Sequence, residues 1–133
     1  MVLFLDIVPI REITKRNRPI TSKQLVKELE MFISGWVNYY KIADMKKYLK
    51  EVDSWIRRRI RMIYWKRWKL VRTKYRNIQK LGINKSKAWE WANTRKSYWH
   101  IANSFILSRT LTNEVLKIYG FISTLDYYNS INL

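Results

Sequence analysis

The sequence predicts an all-α fold, a small helical bundle of three main helices plus short ones, and three observations carry that prediction. Glycine and proline are scarce, three and two in 133 residues, so little interrupts a helix. Apolar residues recur at three- and four-residue steps, the spacing of one helix face. Strand-like alternation longer than a few residues occurs nowhere except in the apolar opening, Leu3 to Ile10. A chain of this length supports one domain and one modest core, and its 47% hydrophobic and 15% aromatic content is unlike that of a disordered tail. It contains no repeat of fixed period and no low-complexity segment.

The opening MVLFLDIVPI is broken by Asp6 and Pro9, has no basic residue before its apolar run and is too short to span a bilayer. The expectation is a soluble, cytoplasmic protein. Thr21 and Gln24 stand at capping-box spacing and predict a first helix over about Ser22 to Tyr40. Leu25, Leu29, Phe32, Trp36, Tyr39 and Tyr40 form its apolar face, and Gly35 within it is read as a place of close approach. Asp44 is the expected N-cap of a longer helix, roughly Met45 to Leu70, with Val52, Ile56, Ile60 and Ile63 as its stripe. A shorter helix is expected from about Thr73 to Leu81, stopped by Gly82. Asn84 or Ser86 can start the next, through Ala88, Trp89 and Ala92. A last helix is expected over about Ser108 to Tyr119, ending at Gly120.

Charge is the second signal. The net charge is +17, from 27 Lys+Arg against 10 Asp+Glu. Such an excess repels itself in the folded state and points to a polyanionic partner, nucleic acid before an anionic membrane surface. Between Ser54 and Trp89 there are thirteen Lys or Arg and no acidic residue. A solvated structural helix normally mixes signs. At 100° per residue, Val52, Trp55, Ile56, Ile60 and Ile63 fall on one side of the long helix. Arg57, Arg58, Arg61, Lys69 and Arg72 fall opposite, with Trp65 and Trp68 among them. Arg59 and Arg67 drift toward the apolar side and must snorkel. Arginine's planar fork suits phosphate oxygens, and exposed indoles offer stacking platforms for unpaired bases. Trp36 and Trp55 read as core. Trp65 and Trp68 are open either to stacking or to packing beneath another helix. A second basic-aromatic segment, Ala88 to Ser104, carries Arg95, Lys96, Tyr98, Trp99 and His100.

Several chemistries find no support. Cysteine is absent, which removes disulfides, thiolate metal sites and cysteine nucleophiles. Gly35, Gly82 and Gly120 are too far apart for a phosphate-cradling loop. Glu51 and Asp53 point to different sides of a helix, Asp126 is isolated, and the lone His100 has few carboxylates near it. No catalytic site, metal or cofactor is expected.

The ordered set of motifs resembles the maturase-specific domain of group II intron reverse transcriptases, also called the X or thumb domain. The matching features are Arg16-Asn17-Arg18, GWVNYY at Gly35 to Tyr40, Asp53-Ser54-Trp55 leading into IRRRIR, and Trp65 to Lys69. LGI at Leu81 to Ile83, Ala88-Trp89 and RKSYW at Arg95 to Trp99 follow, so the likeness covers roughly residues 11 to 128. The family often has glycine where Ser97 stands. The resemblance implies a thumb-like helical domain over residues 21–133, after an N-terminal arm or palm remnant at 1–20. It implies a grip on group II intron RNA that assists splicing. In a protein that also carries polymerase fingers and palm, it implies a clasp on the RNA–DNA primer–template duplex. Carried onto this sequence, the RNA-facing residues are Arg57, Arg58, Arg61, Trp65, Lys66, Trp68, Lys69, Arg72, Arg76, Arg95 and Lys96. The palm's metal-binding aspartates have no counterpart here, so the chain alone is not expected to polymerise DNA. Two competing readings are a DNA-binding basic helical module and a basic amphipathic helix on anionic lipid. The apolar stripe and the further helices argue against the lipid reading.

Overall fold

A computed structural model describes residues 8–40 and 46–131 of the chain. Among these residues there are helices and no strands, as the sequence predicts. In chain order they are α1 (Val8–Ile13), α2 (Ser22–Tyr40), α3 (Lys46–Arg67), α4 (Val71–Lys80), α5 (Lys85–Ala92), α6 (Tyr98–Ala102), α7 (Phe105–Thr110), α8 (Asn113–Ile118) and α9 (Thr124–Ile131).

The two long helices form where apolar spacing and local start signals agree. The Gln24 amide donates to the Thr21 hydroxyl at 3.1 Å, capping α2, which runs over the expected residues. Leu25, Leu29, Ile33, Trp36 and Val37 are buried along it. Gly35, read as a place of close approach, instead faces open space: a Cβ there would meet nothing within 4 Å. The N-cap expected at Asp44 and residues 3–7 of the alternating run lie outside the described residues, and residues 8–10 of that run begin α1. Ile10 of α1 is fully buried, and α1 packs on α2.

Helix α3 is the spine. Its 22 residues extend over about 33 Å, and other helices cover it from more than one direction. Helix α9 packs against both α2 and α3, while α6 packs against another part of α3. Val52, Ile56, Ile60 and Ile63 are buried in the expected stripe, Leu49 extends it, and Met62 and Trp65, off that stripe, are buried too. Trp55, expected in the core, is only half-buried and packs at its edge.

The sharp end of α3 is set by Lys69, whose φ of +37° is left-handed without being glycine. Replacing Lys69 by Gly removes the Cβ penalty. The expected result is a gain of about 0.5–1 kcal/mol in a urea titration, with unfolding shifted to higher denaturant. A lower midpoint would contradict this account of the turn. Gly82 and Gly120, at φ +101° and +103°, end α4 and α8 as the sequence predicts.

Past Gly82 the prediction is less complete. The Lys87 amide donates to the Asn84 side chain, which settles the start of α5 at Asn84 rather than Ser86. The single helix expected over Ser108–Tyr119 is two, α7 and α8. Leu111 breaks the run at ψ 69°, and the Thr112 hydroxyl accepts from the Val115 amide to start α8. Helix α9 lies beyond the last helix the sequence predicts. Its N-terminus is capped by a residue of α3: the buried Asp53 carboxylate accepts from the Ser123 hydroxyl (2.6 Å), the Thr124 amide and hydroxyl (2.7 Å each) and the Leu125 amide (3.1 Å). An anion at a helix N-terminus is favoured by the free N–H groups and by the helix dipole.

Candidate nucleic-acid interface

The arginines of α3 divide into two groups by what their forks hold. Arg58 donates from Nε and Nη2 to the Trp99 carbonyl at 3.2 and 3.0 Å, with its guanidinium 3.7 Å from the Trp99 ring centroid. Arg61 donates to the Leu111 carbonyl at 2.7 Å and to the Asn113 side-chain oxygen at 2.9 Å. Arg59 reaches the Thr14 hydroxyl at 2.6 Å and the carbonyls of Arg11 and Thr14, while Arg67 reaches the Ile20 carbonyl at 2.6 Å. Several of these acceptors lie at helix C-termini, where the last carbonyls lack helical partners and the dipole favours a cation.

Burial lowers the pKa of Arg59 and of Arg61. Neighbouring Arg11 adds to the effect at Arg59, and Arg57 adds to it at Arg61. A guanidinium stays charged regardless. Arg58 and Arg61 therefore contribute to the field of this surface, but much of their hydrogen-bonding capacity serves the fold. This corrects the expectation that they stand outward as phosphate forks. The snorkelling expected of Arg59 and Arg67 takes the form of these carbonyl contacts.

Trp65 is 1% exposed and cannot serve as a stacking platform, so its expected place among RNA-facing residues is corrected. Its ring lies 6.0 Å from that of Trp68, and Lys74 of α4 stands 4.6 Å above it. Lys74 thus stands over a ring that a single-helix projection leaves open, and burial lowers the Lys74 pKa. Trp68, by contrast, is half-buried and borders a cleft.

The remaining expected residues are distributed over two surfaces. Arg57 and Lys66 are half-buried on α3, and Lys69, Arg72, Arg76, Arg95 and Lys96 are exposed. Among the described residues, no hydrogen bond or ion pair holds the side chains of Lys66, Lys69, Arg72, Arg76, Arg95 or Lys96. Arg72, Arg76 and Lys80 follow at four-residue steps and share one stripe of α4, immediately beyond Lys69. Arg95 and Lys96 lie in the loop before α6. Arg16 is drawn close to that loop, its guanidinium 5.2 Å from the Tyr98 ring centroid. Two basic segments eighty residues apart in sequence thus meet on one side. Ser97, where the family often has glycine, has an extended backbone (φ −60°, ψ 157°) that any residue adopts.

An exposed indole absent from the expected set is Trp89, 55% exposed and edge-on to Tyr75 at 5.4 Å. The signal was present: Ala88, Trp91 and Ala92 make the buried face of α5, which places Trp89 outside it. Among the described residues, no group of three or more His or acidic side chains could hold a metal, and no helix is long and apolar enough to cross a membrane.

A family model described as "Group II intron, maturase-specific domain" matches residues 9–82, from α1 through the end of α4. The chain belongs to this maturase-specific family. That membership implies a role in group II intron splicing and identifies the chain with the maturase-specific region rather than a catalytic polymerase domain. The matched span includes both long helices and the basic stripe of α4. The motifs at Ala88-Trp89 and Arg95 to Trp99 lie beyond it. A comparison with curated proteins gives no match.

Proposed function

We propose that this chain is a cytoplasmic RNA-binding domain that holds structured group II intron RNA and assists its splicing, without catalysis of its own. The observation that carries the reading is the run of unpaired cations on one exposed turn and helix, Lys69, Arg72, Arg76 and Lys80, in a domain of net charge +17. Left to itself the run is repulsive, and closely spaced phosphates relieve it. Arg57, Lys66, Arg95 and Lys96, with the fields of Arg58 and Arg61, extend the cationic surface, while Trp68 and Trp89 supply rings for unpaired bases. In a protein that also carries polymerase fingers and palm, the same surface would clasp an RNA–DNA duplex.

The test removes charge where the fold does not depend on it. The double variant Arg72→Ala with Arg76→Ala should weaken binding to folded intron RNA about tenfold, on many RNA sequences alike. It should also make the slope of log affinity against log salt shallower by about two. Its thermal unfolding should match that of the parent chain. Unchanged affinity would remove α4 from the interface. Equal or tighter binding to double-stranded DNA in competition would favour a DNA-binding module instead.

A further inference from the structure

A cleft of about 440 Å3 opens between the start of α2, the end of α3, α4 and the turn after α8, within the ~300–1,000 Å3 range of small-molecule sites. The rings of Tyr64, Trp68 and Tyr119 line it, together with Lys23, Lys80 and the Asn77 amide; no carboxylate does. Tyr64 and Tyr119 lie 5.6 Å apart and tilted by 38°, and Tyr119 is 41% exposed, so its ring reaches the mouth. Burial raises the Tyr64 pKa, which keeps its hydroxyl protonated. Lys80 both lines the cleft and ends the stripe of Arg72 and Arg76, so a backbone following that stripe is led to its mouth.

The geometry points to this cleft as the receptor for one unpaired base of the bound RNA. The base stacks on the aromatic wall, its polar edge meets the Asn77 amide, and its flanking phosphates lie against Lys23 and Lys80. Another cleft of comparable size holds Asp53, Glu114 and Asp126 beside Arg57 and Lys117. Its carboxylates would repel a phosphate backbone, whereas the first cleft is lined by two lysines and three aromatic rings with no carboxylate among them. The inference rests on the RNA-binding reading above and adds to it a site for one extruded nucleotide.

The experiment uses the whole chain and two RNA hairpins that differ only in a single bulged 2-aminopurine, present in one and absent from the fully paired other. Wild-type protein should bind both and change the fluorescence of the bulged base. Tyr119→Ala should lose about tenfold on the bulged hairpin and stay within about twofold on the paired one. If circular dichroism shows that Tyr119→Ala does not fold, Tyr119→Leu keeps the apolar bulk without the ring and should give the same selective loss. Equal losses on both hairpins, or no loss on the bulged one, would overturn the assignment. So would an unchanged 2-aminopurine signal at saturation, which would leave the cleft to a protein segment. Failure of the wild-type chain to bind either hairpin would instead sink the RNA-binding reading, and this inference with it.

Discussion

Raising salt from 50 to 200 mM should weaken binding of folded intron RNA by this chain by about 10³–10⁵, the drop expected when about six to ten phosphates are neutralised. The structure supplies a count of that size. Arg57, Lys66, Lys69, Arg72, Arg76, Lys80, Arg95 and Lys96 are half-buried or exposed, and none of them is held by a hydrogen bond or ion pair among the described residues. Eight contacts at about 0.7–0.9 ion per phosphate give a slope of roughly −6 to −7 in log affinity against log salt. Arg58, Arg59, Arg61 and Arg67 are left out, because their forks are occupied by carbonyls of the chain itself. Filter binding at four salt concentrations checks this. A slope near zero would mean that the cationic surface does not meet a phosphate backbone at all. A slope well beyond −8 would mean that the carbonyl-bound arginines also reach the RNA.

The second large effect is on stability. Asp53→Ala should lower stability by about 2–4 kcal/mol, because two hydroxyls and two backbone amides at the start of α9 lose their acceptor in a site only 4% exposed. In a domain of this size the melting temperature should fall by roughly 10 °C. Hydrogen exchange should show the Thr124 and Leu125 amides losing protection before those of α2. Asp53→Asn keeps the shape and one acceptor oxygen, so it should cost less than alanine. Equal losses from the two variants would show that packing volume, not the carboxylate, holds α9.

What could be read from the sequence follows from how local the cause is. The start of helix α2 was legible to the residue, because Thr21, the i/i+3/i+4 spacing from Leu25 to Trp36 and the lack of proline all act within one helix. Gly82 and Gly120 were legible because a left-handed turn after a helix is a property of one residue. Trp65 stays open between stacking and packing in the sequence, because periodicity finds one buried side of a helix, whereas this ring is closed off by groups outside α3, among them Lys74 of α4. The break at Leu111 had a local signal, the Thr112 cap, hidden by the apolar spacing across it. Helix α9 had a local signal too, the Ser123 hydroxyl that accepts from the Asp126 amide at 3.3 Å, but its second cap, Asp53, lies seventy-one residues before Thr124 and leaves no local mark. The basic surface was legible as composition, but which arginines it could spare was not, because carbonyl partners carry no mark in the sequence.

Those arginine clamps have a consequence for how the domain comes apart. Helices α1, α6 and α7 have five or six residues each, far below the length at which an isolated helix persists in water. Each is tied by a guanidinium to the same long spine, so none can detach without stranding an acceptor and a cation together. A string of fragments that would separately be coil is thereby made to melt as one unit.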